Sequence, residues 1–160
     1  MNYIKFLLLA ALAALAFGGI GCDGDDLPEV APHNAPAQAL KENNWKLVGI
    51  MDAQTGSLKE LKPKDCGRWV CYMLTFDTDT KISFFAGVND GFGNYNYDYE
   101  THSFHIVDDF NMSEVGADHT DEELWLSILK AVKSFSLLEN ELRLYYNENR
   151  NYLFFKSQSK

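Results

Sequence analysis

From Trp45 to Phe155 apolar and polar residues mostly alternate with a period of two, and that period predicts strands. Trp45–Met51 (WKLVGIM) opens the series. In Val70–Asp77 the residues Val70, Tyr72, Leu74 and Phe76 share a face, and Asp77–Thr80 makes a polar turn into Lys81–Ala86, where Ile82, Phe84 and Ala86 fall together. Asn94–Glu100 alternates strictly, with Tyr95, Tyr97 and Tyr99 on one side and Asn94, Asn96 and Asp98 on the other. Ser103–Val107 pairs Phe104 with Ile106 on one face. Ser134–Leu138, Glu141–Tyr146 and Asn151–Phe155 read as a meander, turning at Glu139-Asn140 and at Asn147–Arg150. Connections this short imply antiparallel pairing.

One segment changes period. Leu124, Trp125, Ile128, Leu129 and Val132 recur at helical spacing, and Thr120-Asp121-Glu122-Glu123 before them has the spacing of a capping box, with Thr120 and Glu123 satisfying each other's backbone donors. Acids at the start and Lys130 and Lys133 at the end suit the helix dipole. The apolar stripe is expected to cover one side or mouth of a curved sheet. The expected fold class is therefore mainly β (α+β), a small antiparallel barrel-like sheet with one packed α-helix.

The N-terminal quarter follows another pattern. Phe6–Phe17 (FLLLAALAALAF) is apolar throughout and follows Lys5, but twelve residues fall short of the roughly 20 needed to span a bilayer. Small residues and Cys22 come next, which resembles the lipobox of bacterial lipoproteins, with Gly19 where the box usually has Leu. Residues 1–21 are thus expected to be a signal peptide, and Cys22 the lipidated first residue of the mature chain. Asp23-Gly24-Asp25-Asp26 behind it is similar to the surface-export signal of some Gram-negative lipoproteins. Leu27–Leu40 holds Pro28, Pro32 and Pro36, three of the chain's four prolines, and is expected to be an extended spacer, so that residues 22–40 form a tether. A single domain is expected over 41–157, long enough for one core.

Charge narrows the partners. Among 160 residues, 23 acids face 14 bases, a net charge of −9, and loss of residues 1–21 removes one base and no acid, giving 13 − 23 = −10. Nucleic-acid binding needs the opposite sign and is excluded as a class. Attachment to the membrane is expected through lipidated Cys22 and not through a basic patch.

Asn44-Trp45-Lys46-Leu47-Val48-Gly49 resembles the W-x-L opening of the META/HslJ family. Gly87-Val88-Asn89-Asp90-Gly91-Phe92-Gly93-Asn94-Tyr95 is similar to its G-x-N-x-x-x-G-x-Y segment, carried by Gly87, Asn89, Gly93 and Tyr95. The helix from Thr120, then Phe135-Ser136-Leu137 and Leu142-Arg143-Leu144, follow in the family's order. Where the family often has a Cys beside the glycine motif and a Thr-x-Met-x-Cys stretch before the helix, this chain has Asn89 and Asn111-Met112-Ser113, so one disulfide frequent in the family is missing. The resemblance covers about Asn43 to Lys156 and implies a compact antiparallel barrel-like domain with one helix and no transferable catalytic residues.

The search for chemistry in the residues themselves ends without a catalytic site. Gly87, Gly91 and Gly93 suggest a tight, strained connection between two strands, and no Lys or helix start follows to make it a phosphate loop. His102 and His105, three apart on a strand, point to opposite faces and suit no shared metal. Asp118-His119-Thr120-Asp121 is explained by the helix start, Asp77-Thr78-Asp79 lacks the Gly and Glu of a calcium loop, and no G-x-S-x-G elbow occurs. No cofactor is expected. Cys66 and Cys71 flank Gly67-Arg68-Trp69-Val70 and, in an oxidising compartment, are expected to form a disulfide, with Trp69 either exposed at the loop tip or folded back on the barrel. Tyr95, Tyr97 and Tyr99 form either a wall of the core or a ligand face.

The function expected is that of an outer-membrane-anchored envelope lipoprotein on the cell surface, non-catalytic, binding a protein or envelope component. A lipocalin-like carrier of an apolar or aromatic small molecule needs an enclosed cavity instead. An inhibitor of extracellular enzymes needs a protruding loop, for which Cys66–Cys71 is the candidate.

Overall fold

The alternating segments pair in sequence and then meet end to end. The computed structural model describes residues 35–160 other than Glu114, Ala117 and Asp118. Its strands are β1 (Asn43–Asp52), β2 (Leu58–Lys59), β3 (Met73–Phe76), β4 (Lys81–Phe85), β5 (Asp90–Asp98), β6 (Ser103–Ile106), β7 (Asn111–Met112), β8 (Ser134–Leu138), β9 (Glu141–Tyr146) and β10 (Asn151–Ser159). Two helices accompany them, α1 (Ala35–Glu42) and α2 (Glu122–Ala131). Eight strands run in the order β10-β9-β8-β6-β5-β4-β3-β1, and β1 pairs with β10 as well as β3, so the antiparallel barrel is closed. The short β2 and β7 attach to β1 and β5. The seam between β6 and β8 is the thinnest, held at Ser103↔Ser134 and by Phe104 N–H to Lys133 O and Phe135 N–H to His102 O.

Closure lets every inward residue meet another strand. Trp45, Leu74, Phe76, Ile82, Tyr95, Phe104, Leu142, Leu144, Leu153 and Phe155 are buried in one core. The helix stripe reads out as the pattern requires: Trp125, Ile128, Leu129 and Val132 are buried against it, and Leu124 packs at its margin. Aromatic rings fill the centre. Tyr95 stacks on Phe104 with centroids 5.4 Å apart and meets Phe76 edge-on at 5.1 Å.

Several expectations need correction. The extended spacer ends early, because residues 35–40 are helical in α1. Pro36 stands in the first turn, where its missing N–H costs nothing. Leu40 is buried and its carbonyl accepts Trp45 Nε1–H at 2.9 Å, which ties the helix to the barrel. Structured chain therefore begins before Lys41, and β10 runs past Ser157 to Ser159. The rest of the spacer, residues 1–21 and Cys22 lie outside the described residues.

The glycine segment is not a three-glycine turn. Gly87 alone among the three has a left-handed φ, +88°, while Gly91 and Gly93 lie inside β5. Their reason is close approach: a Cβ on Gly91 would come within 2.6 Å of the Phe84 ring and 2.7 Å of Asn111 O, and one on Gly93 within 2.7 Å of the Phe110 ring. The strand expected from Val70 starts only at Met73, because Tyr72 is itself left-handed at φ 55°. The capping box is also replaced. Helix α2 starts at Glu122, and the Asp121 carboxylate, instead of capping it, accepts Lys62 N–H at 2.8 Å.

Candidate binding surface

One end of the barrel is built from three loops that hold one another. The segment leading into β3 is anchored first: Lys62 and Asp121 exchange backbone and side-chain bonds, Asp121 N–H to Lys62 O at 2.7 Å and Lys62 N–H to Asp121 Oδ2. Tyr72 O–H donates to Lys62 O, and its ring lies beneath the loop against Trp125. Beyond this base, Cys66 and Cys71 are joined by a disulfide, with Cα atoms 5.5 Å apart. Inside the ring so formed, Trp69 N–H donates to Cys66 O, and Gly67 turns at φ 64° with its N–H on Asp65 Oδ1.

Trp69 stands at the tip and is 59% exposed. Its ring centre lies 6.0 Å from that of Phe85, and the Arg68 guanidinium sits 5.3 Å over its face. Phe85 points outward from β4, because Ile82, Phe84 and Ala86 point in. Phe92, also 59% exposed, occupies the outer face of β5 on the diagonal from Phe85, since Phe85 pairs with Asp90 and Ser83 with Phe92. The spacing of aromatics on this outer face is a signal that sequence reading passed over at Phe92.

The second and third loops are clamped from below by a buried polar pair. Glu122, 5% exposed, accepts Asn89 Nδ2–H at 2.7 Å and Asn89 N–H at 3.3 Å. Asn89 Oδ1 in turn accepts Val115 N–H at 2.8 Å, and Asn89 Nδ2 also donates to Val115 O. One side chain thus fixes the loop after β4, the segment before α2 and the start of α2 itself. Val88 and Val115 are left exposed on either side of it. In a sequence Glu122 reads as an ordinary acidic first-turn residue, which hides its burial.

A comparison with protein families identifies the arrangement. The model of the META domain matches residues 38–159. The chain belongs to the META domain family. A relative named "Putative lipoprotein" from Tannerella forsythia is 29% identical over 153 residues, covering 95% of each chain. Two solved structures share the fold: a DUF4847 family protein from Bacteroides vulgatus, at TM-score 0.59 and 14% identity over 77% of this chain and 97% of that one, and a protein from Burkholderia xenovorans, at TM-score 0.60 and 19% identity over 86% and 98%.

The META motif residues have structural roles here. Trp45 and Tyr95 are buried, Asn89 is the clamp, Gly87 makes the turn and Gly93 admits Phe110. Tyr95 is 1% exposed and its hydroxyl donates to Thr78 O at 2.9 Å, while Tyr97 and Tyr99 pack edge-on against Phe135. The row is a wall of the core. His102 lies in the turn before β6 beside Tyr99 and Phe135, and His105 is exposed on β6. Among the described residues no group of three or more His, Cys, Asp or Glu side chains is placed to hold a metal. The Asp77-Thr78-Asp79 acids are spent locally, Asp77 on Ser83 Oγ–H and Asp79 on Lys41. Asp118 lies outside the described residues.

Burial also sets an alkaline limit. It pushes the Tyr72 phenol from its ordinary value up to about 12, and raises Tyr95 and Tyr97 as well. The folded domain therefore keeps protons that the unfolded chain loses near pH 10. Stability held below that pH is expected to fall as pH rises from about 10 through 12. Urea midpoints measured across that interval should decline, and Tyr72→Phe, though weaker at neutral pH, should decline less steeply; a flat wild-type profile would contradict the assignment.

Proposed function

We propose that this protein is a lipid-anchored lipoprotein of the cell envelope, displayed at the surface, whose META domain is a non-catalytic binding module for a protein or envelope component. The observation that carries the binding role is Trp69, 59% exposed on a covalently closed loop and continuous with Phe85 and Phe92 on the barrel's outer face. Exposed aromatics on a rigid support are what binding hot spots are made of, since little entropy is lost when they are covered. The barrel centre, filled by Trp45, Trp125, Phe76, Tyr95 and Phe104, favours this reading over a carrier with an enclosed cavity. Support for the anchor comes from Cys22 behind its apolar run and from likeness to the Tannerella forsythia protein along nearly the whole chain.

Two measurements test the two halves. Cys22→Ser is expected to abolish flotation of the protein with membranes, and a variant that still floats would count against the anchor. Native mass spectrometry of the full chain purified from its producing cells should give a mass without an uncharged apolar or aromatic adduct. Such an adduct, released on denaturation, would instead establish a carrier.

A further inference from the structure

A second feature lies beside the base of the Trp69 loop and shares Cys71 and Tyr72 with it. Between the start of β1, the end of β10 and the segment after β2 lies a groove of about 500 Å³, within the range of small-molecule sites. Lys46, Lys64 and Lys156 line it together with Glu60, and Leu61 and Pro63 supply an apolar wall. Three lysines less one glutamate leave +2 in this groove, on a chain whose total is −9 with 14 bases in all. Lys64 is paired with Glu60. Lys46 makes no ion pair among the described residues.

The register makes the arrangement unfavourable when empty. Lys46 on β1 stands directly opposite Lys156 on β10. Like charges in that position repel, and sheets ordinarily place opposite charges there. This sheet does so one strand further on, where Lys156 faces Glu141, itself bound to Arg143. The ladder is also interrupted beside the lysines: a bulge between Leu47 and Gly49 sets Val48 into the groove wall. Bulges of this kind occur where a strand is bent to re-aim its side chains.

We propose that this groove binds a phosphate-bearing anion with a small apolar part. A phosphate monoester carries about −1.5 to −2 at neutral pH, which matches the local +2, and lysine ammonium groups serve as point-charge partners for its oxygens. The apolar part lies against Leu61 and Pro63. The same chemistry is offered by a soluble phosphate monoester and by the monoester headgroup of a phosphatidic acid.

Calorimetry on the full chain in a neutral detergent tests this with phenyl phosphate as the soluble probe and dihexanoyl phosphatidic acid as the headgroup probe. At least one should saturate a single site, with Lys46→Gln and Lys156→Gln each weakening it about tenfold, as expected for loss of one charge-assisted contact. Lys133→Gln, exposed before β8, should leave binding unchanged. Saturation by phenyl phosphate alone assigns a soluble ester, and saturation by the lipid alone assigns a headgroup. Failure of both probes, indifference to both groove lysines, or equal affinity for benzoate would overturn the proposal. A readout without ligand accompanies it: Lys46→Gln relieves the cross-strand repulsion, so the Tm of the ligand-free chain should rise by about 1–3 °C. A fall would make Lys46 a structural residue and overturn the reading equally.

Discussion

Trp45→Ala is expected to cost about 3–5 kcal/mol of stability, the range for removing a large aromatic from a core. Trp45 is fully buried, and it holds three parts at once. Its backbone pairs with Leu74 on β3 and Ser157 on β10, and its indole N–H reaches Leu40 O in α1. Truncation opens a cavity at the place where the barrel closes and leaves the Leu40 carbonyl without its donor. Since domains of this size hold about 5–15 kcal/mol in total, the variant should sit near the edge of folding at 37 °C. Trp45→Phe, which keeps most of the volume, should lose about 1–2 kcal/mol. Guanidinium midpoints at constant slope check both, and a loss below about 1 kcal/mol for the alanine would show that closure does not depend on this residue.

The second large effect is expected at Asn89→Ala, about 2–4 kcal/mol. The side chain itself buries little apolar area, so packing alone would predict less. What is lost is the shorter of the two hydrogen bonds Asn89 gives to Glu122, a carboxylate with almost no access to water; the backbone N–H bond survives. A buried carboxylate left short of a donor has part of its desolvation cost uncompensated, at the expense of stability. The loops bearing Val88 and Val115 lose their common fastening in the same step. Asn89→Asp separates charge from shape: it keeps the side chain's size but sets a second carboxylate against Glu122, and should be worse than alanine at neutral pH. Equal stability of Asn89→Asp and Asn89→Ala at neutral pH would count against the clamp.

The parts legible in the sequence are those whose pattern is local. Tyr95, Tyr97 and Tyr99 point inward because strict alternation leaves them no other course, and the meander from Ser134 onward repeats that logic between short polar turns. Trp125, Ile128, Leu129 and Val132 announce their helix by spacing alone. Other features depend on what lies across the fold. Pro36 is compatible with both an extended chain and a first helical turn, and only the docking of Leu40 decides. Glycine marks both turns and close contacts, so Gly91 and Gly93 read alike until Phe84, Asn111 and Phe110 are in place. Strands β2 and β7, of two residues each, are too short to show a period. The candidate surfaces divide in the same way. Trp69 is marked by the cysteines around it, whereas Lys46 and Lys156 become neighbours only when the two ends of the domain pair.

That pairing has a consequence for the order of events during synthesis. The longest seam of the barrel joins its first strand to its last, from Asn43↔Ser159 to Asp52↔Asn151, so the partners are separated by 159 − 43 = 116 residues at one end and 151 − 52 = 99 at the other. Contacts so distant along the chain form late, because the loop entropy is spent before they return any energy. A nascent chain cannot close the barrel until β10 has been made. The strands from β1 to β9 therefore stay an open sheet with two unpaired edges until that last strand arrives.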